Sequence, residues 1–357
     1  MANWEVGSEF DWSERFVGAS DENWLPASYQ LFSTGTACLK AIAADRQPSA
    51  NSPRPRIHLP SFYCITVARA LSADFDICWY SDVPTQSTPD FGSIHAEPGD
   101  YILILNTFGL RMRGPWTRWT EQHSGVISIE DHSHDPFSTW AKTSTADYAF
   151  ASLRKTLPLP DGGILYSPKG HSIRKPSNPI PSEGAKKRLT AMLLKNAFLR
   201  GGSVDKDAYR QLEIASNADL ESELDVAASA FTRQVLPALD ISGMRLRKQQ
   251  NIRYFLAQSA NRHSCLWSPL FDDPQSPDGV PLNAIVVCRS RTVRDALRIH
   301  LIERKIFTAI HWSLDDEMAA TDPLAHQLSD RVLTVPLDFR YGKDDVERVF
   351  ETMLGFE

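Results

Sequence analysis

The segment VISIEDHSHDPFSTWAKTSTADYAFASLRKTLPLPDGGILY, residues 126–166, decides the fold of this 357-residue chain. It begins with an apolar run that ends on two acids, Glu130 and Asp131, and it reaches Lys155 just before the turn at residues 160–163. Short apolar runs bounded by turn residues are typical of strands buried in a parallel sheet. We therefore expect an acid at the end of one buried strand and a lysine just after another.

The flanking sequence alternates strand and helix patterns, which indicates an α/β fold with a mainly parallel sheet. A strand, a helix and a strand are expected within residues 54–82. Further strands are expected at residues 100–105, 125–131, 146–152 and 162–167, and a helix at residues 115–124. Beyond them the pattern predicts helices at residues 185–199, 219–239, 241–261, 292–305 and 344–354 and strands at residues 281–290, 306–312 and 332–337.

This order of elements divides the chain into three parts. Residues 1–27 lack periodicity and are expected to form an N-terminal arm, of the kind that often crosses a dimer interface. Residues 28–235 are expected to form a large ligand-binding domain, and residues 236–357 a smaller α+β C-terminal domain.

The composition points to a small-molecule ligand. The formal net charge is -6 and no long Lys/Arg run occurs, so nucleic acid and an anionic membrane surface are not expected partners. No apolar run is long enough to span a bilayer, and the N-terminus is acidic and aromatic, unlike a signal peptide. We expect a cytoplasmic protein.

Three motifs carry the chemistry that the sequence predicts. Asp131 at the end of a parallel strand lies where open α/β sheets bind ligands, and an acid there can keep a pyridine nitrogen protonated. Lys155, with Arg154 beside it, is a candidate Schiff-base lysine. Residues 33–37, Ser-Thr-Gly-Thr-Ala, precede a predicted helix and favour a phosphate, although plain helix capping explains them equally well.

The motifs together resemble a known enzyme family. Gly-Thr-Ala at 35–37, LPSFYC at 59–64, NTFG at 106–109, IEDHSH at 129–134, SLRKTLPLPDGG at 152–163 and LTVPLDFRYG at 333–342 resemble the DegT/DnrJ/EryC1/StrS family of pyridoxal-phosphate aminotransferases. The resemblance implies the fold-type I architecture, with a mainly parallel seven-stranded sheet between helices and a smaller C-terminal domain. It also implies a homodimer with shared active sites.

The resemblance assigns roles to individual residues. Lys155 forms the Schiff base with pyridoxal 5'-phosphate, and Asp131 pairs with the ring nitrogen. The phosphate contacts come from Gly35, Thr36, Ala37 and Ser152, an aromatic residue such as Tyr63 or Phe62 stacks on the ring, and His134 takes the place of the family's usual glutamine. The implied reaction moves an amino group from an amino acid, by default glutamate, to a keto acceptor such as a nucleotide-linked keto sugar.

Other functions stay open at this level. A metal-dependent hydrolase would use Asp131, His132, His134 and Asp135 as nitrogen and oxygen ligands. A pyridoxal enzyme of natural-product biosynthesis would act on an amino acid without transamination, and a protein without turnover would serve as a ligand-binding or regulatory protein.

Two positions in the C-terminal part have two interpretations each. His311 and Trp312 either face the substrate or pack on the domain seam. Arg340 either binds a substrate carboxylate or pairs with Asp338 or Asp344.

Overall fold

The structure is a computed structural model that describes residues 3–18, 24–45, 54–178, 180–272 and 279–356. The strands are β1 Val6–Gly7, β2 Gln30–Phe32, β3 Arg56–Pro60, β4 Asp76–Tyr80, β5 Tyr101–Leu105, β6 Ile127–Asp131, β7 Tyr148–Ser152, β8 Gly163–Tyr166, β9 Trp267–Pro269, β10 Ala284–Cys288, β11 Ile306–Phe307 and β12 Val332–Val335. The helices are α1 Gly35–Asp45, α2 Ile65–Leu71, α3 Arg113–Gln122, α4 Thr139–Lys142, α5 Glu183–Leu199, α6 Lys206–Ser222, α7 Ala230–Val235, α8 Ile241–Asn261, α9 Arg291–Glu303, α10 Asp316–Thr321, α11 Pro323–Ser329 and α12 Lys343–Leu354. Short 3-10 turns occupy Glu14–Phe16, Phe91–Ser93, Thr107–Gly109, Leu153–Lys155 and Leu236–Ala238.

A seven-stranded sheet in the order β2-β8-β7-β6-β5-β3-β4 forms the large part of the fold. Strands β3 to β7 pair in parallel, while β8 runs antiparallel to both of its neighbours. The expected seven-stranded, mainly parallel sheet is therefore confirmed. All five residues of β5 and of β7 are buried, as the continuous apolar runs predicted.

A second sheet lies in the C-terminal part of the chain. Its order is β12-β10-β9, with both pairs antiparallel. Helices α8, α9 and α12 pack against this sheet and enclose their own apolar core. This arrangement matches the smaller α+β unit that the sequence predicted, whereas the boundary at residue 235 stays a prediction.

The predicted helix at residues 219–239 is wrong. Helix α6, which the sequence pattern did not predict as a helix, ends at Ser222, and α7 begins only at Ala230. The residues between them form backbone hydrogen bonds with the edge strand β2: Ser33 N–H donates to the Val226 carbonyl at 2.8 Å, and Ala228 N–H donates to the Leu31 carbonyl at 3.1 Å. Pairing with a sheet edge therefore overrides the local helix pattern, because the edge strand has free backbone groups to satisfy.

The described part of the N-terminal arm packs on its own chain. Strand β1 pairs in parallel with β11. The buried Lys195 on α5 contacts the arm through the Glu5 carboxylate at 3.4 Å and the Gly7 carbonyl at 3.3 Å. The arm thereby lies beside the carboxyl ends of the strands in the large sheet.

Strand β8 and the loop before α1 approach each other so closely that residue 163 has to be glycine. A Cβ at Gly163 would lie 2.1 Å from the Thr34 carbonyl oxygen and 2.8 Å from Cys38 Sγ. We expect Gly163→Ala to lower the free energy of unfolding by about 3 kcal/mol or more, because backbone atoms cannot yield as a flexible side chain can. Urea unfolding measures this loss.

Gly114 is the matched control for that change. It lies in α3, and a Cβ there would meet only Arg118 Nη1, at 3.9 Å. Gly114→Ala should change the free energy of unfolding by no more than about 1 kcal/mol, since the helix preference of alanine and its contact with the following Pro115 act in opposite directions. Equal effects of the two substitutions would contradict the packing argument.

None of the helices formed by the described residues has the length and apolar character needed to cross a membrane.

Candidate active site

A cavity of about 570 Å³ lies at the carboxyl ends of β6 and β7, next to the first turn of α1. Nine of the residues singled out from the sequence line it: Gly35, Thr36, Tyr63, Asp131, Ser152, Lys155, His311, Trp312 and Arg340. The parallel sheet explains this convergence, because strands that run in one direction bring their carboxyl ends to one edge. Ala37 and His134 are not among the lining residues of this cavity.

Asp131 is the last residue of β6 and is buried. Its Oδ1 accepts a hydrogen bond from Ser133 N–H at 2.8 Å, and its Oδ2 accepts one from the Tyr63 hydroxyl at 3.2 Å. Burial raises the pKa of Tyr63, and the neighbouring Asp131 carboxylate adds to that effect. Tyr63 therefore stays a neutral donor that holds the acid in place at the cavity wall.

Lys155 ends the 3-10 turn that follows β7, and its side chain is partly buried. Its Nζ lies 5.6 Å from the centre of the Trp312 ring. The turn after a buried strand carries the amine past the sheet edge into the cavity. Lysine and acid thus come from adjacent strands, although 24 positions separate residues 131 and 155 in the sequence.

Gly35 lies against Ser152 where α1 meets the end of β7. A Cβ at residue 35 would lie 3.1 Å from Ser152 Cβ, so the glycine lets α1 approach the end of the strand closely. Thr34 caps the helix by accepting a hydrogen bond from Ala37 N–H at 3.1 Å. The amides of Gly35 and Thr36 remain at the cavity, where the helix N-terminus favours a negative charge.

His134 lies behind the cavity wall, in a stack of rings. It stacks on Phe108 at 5.6 Å and on Trp312 at 5.2 Å between ring centres. The N–H of Phe108, a residue with a left-handed φ of 56°, donates to His134 Nδ1 at 2.8 Å. Left-handed backbone at a bulky residue is uncommon, and here it points the amide at the imidazole.

The protonation of His134 follows from these contacts. Burial lowers its pKa well below the ordinary value, and the positive charge of Lys155 lowers it further. Because Nδ1 accepts a hydrogen bond, the proton of the neutral ring is on Nε2. That nitrogen is buried and has no hydrogen-bond partner among the described residues. An unpaired N–H donor of this kind is costly unless a ligand or water satisfies it.

His311 and Trp312 both face the cavity and also pack against other side chains. Trp312 contacts Phe62 at 5.8 Å and Tyr63 at 6.0 Å between ring centres. His311 Nδ1 lies 3.0 Å from Thr334 Oγ1.

Arg340 pairs with Asp338 on both oxygens, at 2.9 Å and 2.8 Å. The same guanidinium donates to the Glu9 carbonyl at 3.0 Å. Of the two interpretations of Arg340, the structure supports the ion pair.

The four side chains of the alternative metal site point to different partners. His132 Nε2 lies 3.0 Å from a Glu130 carboxylate oxygen, and Asp135 pairs with Arg245. Asp131 and His134 bind Tyr63, Ser133 and Phe108 as described above. No group of three His, Cys, Asp or Glu side chains among the described residues is arranged to hold a metal ion. The geometry does not support a hydrolase built on this cluster.

Several cavity residues carry no signal in the sequence. Ser8, Glu9 and Phe10 reach the cavity from the N-terminal arm, and Arg298 reaches it from α9. Only the tertiary fold brings these residues to Lys155. Phe108 belongs to the NTFG motif, but its role as the hydrogen-bond donor to His134 depends on its backbone conformation.

The buried His134 and the partly buried His311 make stability depend on pH. Burial and the charge of Lys155 lower the pKa of His311 to about 4, and the pKa of His134 is lowered as well. Between pH 6.5 and 4 the unfolded chain therefore binds protons that the folded chain does not, and the free energy of unfolding falls as the pH falls. His311→Gln should reduce the loss between pH 7 and pH 5 by an amount on the order of 1 kcal/mol.

Urea midpoints of the cofactor-free protein at the two pH values measure this effect. The exposed His263 provides the control substitution, His263→Gln. An unchanged pH dependence in His311→Gln would show that His311 is not held neutral in the fold.

Comparison with known structures identifies the fold. The chain is similar to the sugar aminotransferase CalS13 of Micromonospora echinospora, with a TM-score of 0.55 and 14% identity over 92% of this chain and 87% of that one. It is similar to a DegT DnrJ EryC1 StrS aminotransferase of Brucella abortus, with a TM-score of 0.58 and 14% identity over 92% of this chain and 85% of that one. It is also similar to NtdA of Bacillus subtilis, solved with bound cofactor PMP, with a TM-score of 0.56 and 14% identity over 91% of this chain and 72% of that one.

These likenesses show that the chain has the fold of fold-type I aminotransferases, which confirms the expected architecture. No sequence model of a protein family matches the chain, and no curated protein sequence matches it.

Proposed function

We propose that this protein is a pyridoxal-phosphate-dependent aminotransferase that moves an amino group from an amino acid to a keto compound. The observation that carries the proposal is that Lys155 and Asp131 line one cavity at the ends of adjacent parallel strands, beside the N-terminus of α1. The likeness to aminotransferase structures, one of them with bound PMP, supports it. The combination of acid, lysine and helix N-terminus is the donor set that the cofactor needs.

The residues at the cavity fit the cofactor. Asp131 offers a carboxylate to a protonated pyridine nitrogen, and Gly35, Thr36 and Ser152 line the same cavity, where helix N-terminal amides and a hydroxyl would be available to a phosphate. His134 stacks on Trp312, which lines the cavity, and its Nε2–H, unpaired among the described residues, would be a candidate donor to the ring hydroxyl of the cofactor. A neutral imidazole donates one hydrogen bond much as a glutamine amide does, so His134 can take that role in transamination.

Bound pyridoxal phosphate supplies an aldehyde and an electron-withdrawing ring that stabilises a carbanion. The protein supplies the remaining functions. Lys155 would hold the cofactor through its Nζ and, when not bonded to it, would move a proton at the reacting carbon. Asp131 would keep the ring nitrogen protonated, and Tyr63 holds Asp131 in position.

The finer assignments are proposals that the same site supports. We infer glutamate as the amino donor and a keto sugar, linked to a nucleotide, as the acceptor; the neighbour CalS13 is described as a sugar aminotransferase. We further infer a homodimer with shared active sites in the cytoplasm, and a division of the chain at residues 1–27, 28–235 and 236–357.

Borohydride reduction tests the proposed function. The purified protein, loaded with pyridoxal phosphate, should show visible absorption that borohydride bleaches, and the labelled peptide should contain Lys155. Incubation with glutamate before reduction should remove the label, because the amino group has then moved to the cofactor. A protein that stays colourless after reconstitution would refute the proposal. Retention of the label with every amino acid would favour non-transaminase chemistry.

A further inference from the structure

Four of the nine charged side chains that line the cavity form an ion pair among the described residues. Asp131 accepts two hydrogen bonds, and Lys155 is assigned to the cofactor. The ion pairs of the other lining residues are Arg340 with Asp338 at 2.8 Å, Arg210 with Glu213 at 2.5 Å and Glu9 with Arg188 at 2.7 Å. After these six residues are set aside, Arg154, Arg298 and Glu221 are the charged lining residues that form no ion pair with any part of the chain that the structure describes.

Arg154 differs from the other two by its burial. Arg298 and Glu221 are exposed to solvent, whereas Arg154 is partly buried. Its guanidinium forms no hydrogen bond, and no ion pair within 4.0 Å, with any residue in the described part of the chain. A charged group that has lost water without gaining a hydrogen-bond partner is costly, and an exposed one is not.

The carboxylates around Arg154 act on its charge only from a distance. Burial lowers its pKa and the positive charge of Arg188 adds to this effect, whereas the carboxylates of Glu9, Glu221 and Asp161 oppose it. None of these three carboxylates lies within 4.0 Å of the Arg154 guanidinium, and Glu9 is itself paired with Arg188. An anion that entered the cavity would give Arg154 both the charge and the hydrogen-bond acceptors that it lacks.

We propose that Arg154 binds an oxyanion of the substrate, a carboxylate or a phosphate, and so selects anionic substrates. The proposal rests on the proposed function and extends it to the substrate class. Arg154 and Lys155 are consecutive and line the same cavity, so recognition of the anion and the reaction at Lys155 share one space. A guanidinium suits this role because its N–H groups match the two oxygens of a carboxylate or phosphate.

Two sources can supply such an oxyanion. One is a carboxylate of the amino donor, and the other is a phosphate of the keto acceptor. Unreactive probes separate the sources: glutarate for the dicarboxylate, and uridine diphosphate for the phosphate. Isothermal titration calorimetry on the full-length, cofactor-loaded protein measures the Kd of each probe without any turnover.

Arg154→Gln should raise the Kd of at least one probe about tenfold or more, the loss expected for a charge-assisted hydrogen bond. Arg154→Lys should restore part of the affinity, because it keeps the charge but not the forked geometry. Arg118→Gln, on the exposed face of α3, removes the same charge away from the cavity and should leave both Kd values unchanged.

A rise for glutarate alone assigns Arg154 to the donor carboxylate, and a rise for uridine diphosphate alone assigns it to the acceptor phosphate. The proposal is overturned if the wild-type protein binds neither probe at millimolar concentration. It is also overturned if Arg154→Gln binds both as tightly as the wild type, or if Arg298→Gln weakens binding while Arg154→Gln does not.

Two controls separate this proposal from the proposed function and from misfolding. Borohydride labelling of Lys155 in the same samples tests the proposed function, and wild-type protein without a label would refute that function whatever the calorimetry gives. Thermal unfolding shows whether Arg154→Gln is folded. If Arg154→Gln is unfolded, the Kd values of Arg154→Lys test the proposal instead, because the loss of bidentate geometry alone should still raise the Kd severalfold.

Discussion

Replacing Lys155 by alanine is expected to abolish covalent attachment of pyridoxal phosphate and to lower the transamination rate by about 10³-fold or more. The side chain has two roles in the proposed reaction, as the nucleophile for the aldehyde and as the carrier of the proton. No other lysine lines the cavity among the described residues. Stopped-flow absorption with glutamate and mass spectrometry after borohydride reduction measure the two losses separately.

The controls for Lys155 distinguish loss of the amine from loss of the charge. Lys155→Arg keeps a positive charge near Trp312 but cannot bond to an aldehyde, so it should be as inactive as the alanine variant. Lys169→Ala removes a surface lysine that pairs with Asp147 at 3.0 Å and should remain active. A Lys155→Ala protein that still carries a borohydride-stable label would place the attachment elsewhere and contradict the assignment.

Asp131→Asn is expected to leave cofactor attachment intact and to slow transamination by about 10²-fold or more, on the scale seen when one charge-stabilising group is removed from an active site. The amide oxygen can still accept the hydrogen bond from Ser133 N–H. What is lost is the negative charge that keeps the pyridine nitrogen protonated, and with it the ability of the ring to stabilise a carbanion. Single-turnover rates with glutamate measure the loss of carbanion stabilisation. The absorption spectrum as a function of pH measures the protonation of the pyridine nitrogen.

Glu130→Gln is the matched control for Asp131→Asn, because it removes a carboxylate one position earlier in the same strand. Glu130 is buried and binds His132, away from the cavity lining. Its replacement should affect stability and leave the rate within severalfold of the wild type. Equal losses of rate in the two variants would mean that Asp131 acts through the fold and not through the cofactor.

Periodicity and motif chemistry predicted the order of strands and helices well where burial is continuous. The strands that end in Asp131 and Ser152 are buried on both faces, and such strands are recognisable from the short run of sequence that forms them. The helix expected at residues 219–239 failed because residues 226–228 pair with the backbone of β2, a contact between distant parts of the chain that no local pattern contains.

The sequence did not predict the surroundings of individual site residues as well as it predicted the strands. His134 was recognised as unusual, but its neutral state depends on burial and on the amide of Phe108 in a left-handed turn. The two interpretations of Arg340 could be separated only when Asp338 and the arm were seen around it. Charge state and pairing depend on neighbours in space, and sequence position specifies these poorly.

The sequence by itself determined the chemistry: an acid and a lysine after two buried strands, a glycine before a helix, and a sheet whose parallel strands bring their ends to one edge. These features are local, because side-chain periodicity and turn residues specify strand ends directly. The tertiary structure alone decided which charges stay unpaired beside Lys155. Arg154 forms no ion pair in the described part of the chain, and Glu9, brought near it from the N-terminal arm, is already bound to Arg188 on α5. Such pairing reflects distances between remote segments, and only the folded chain sets them.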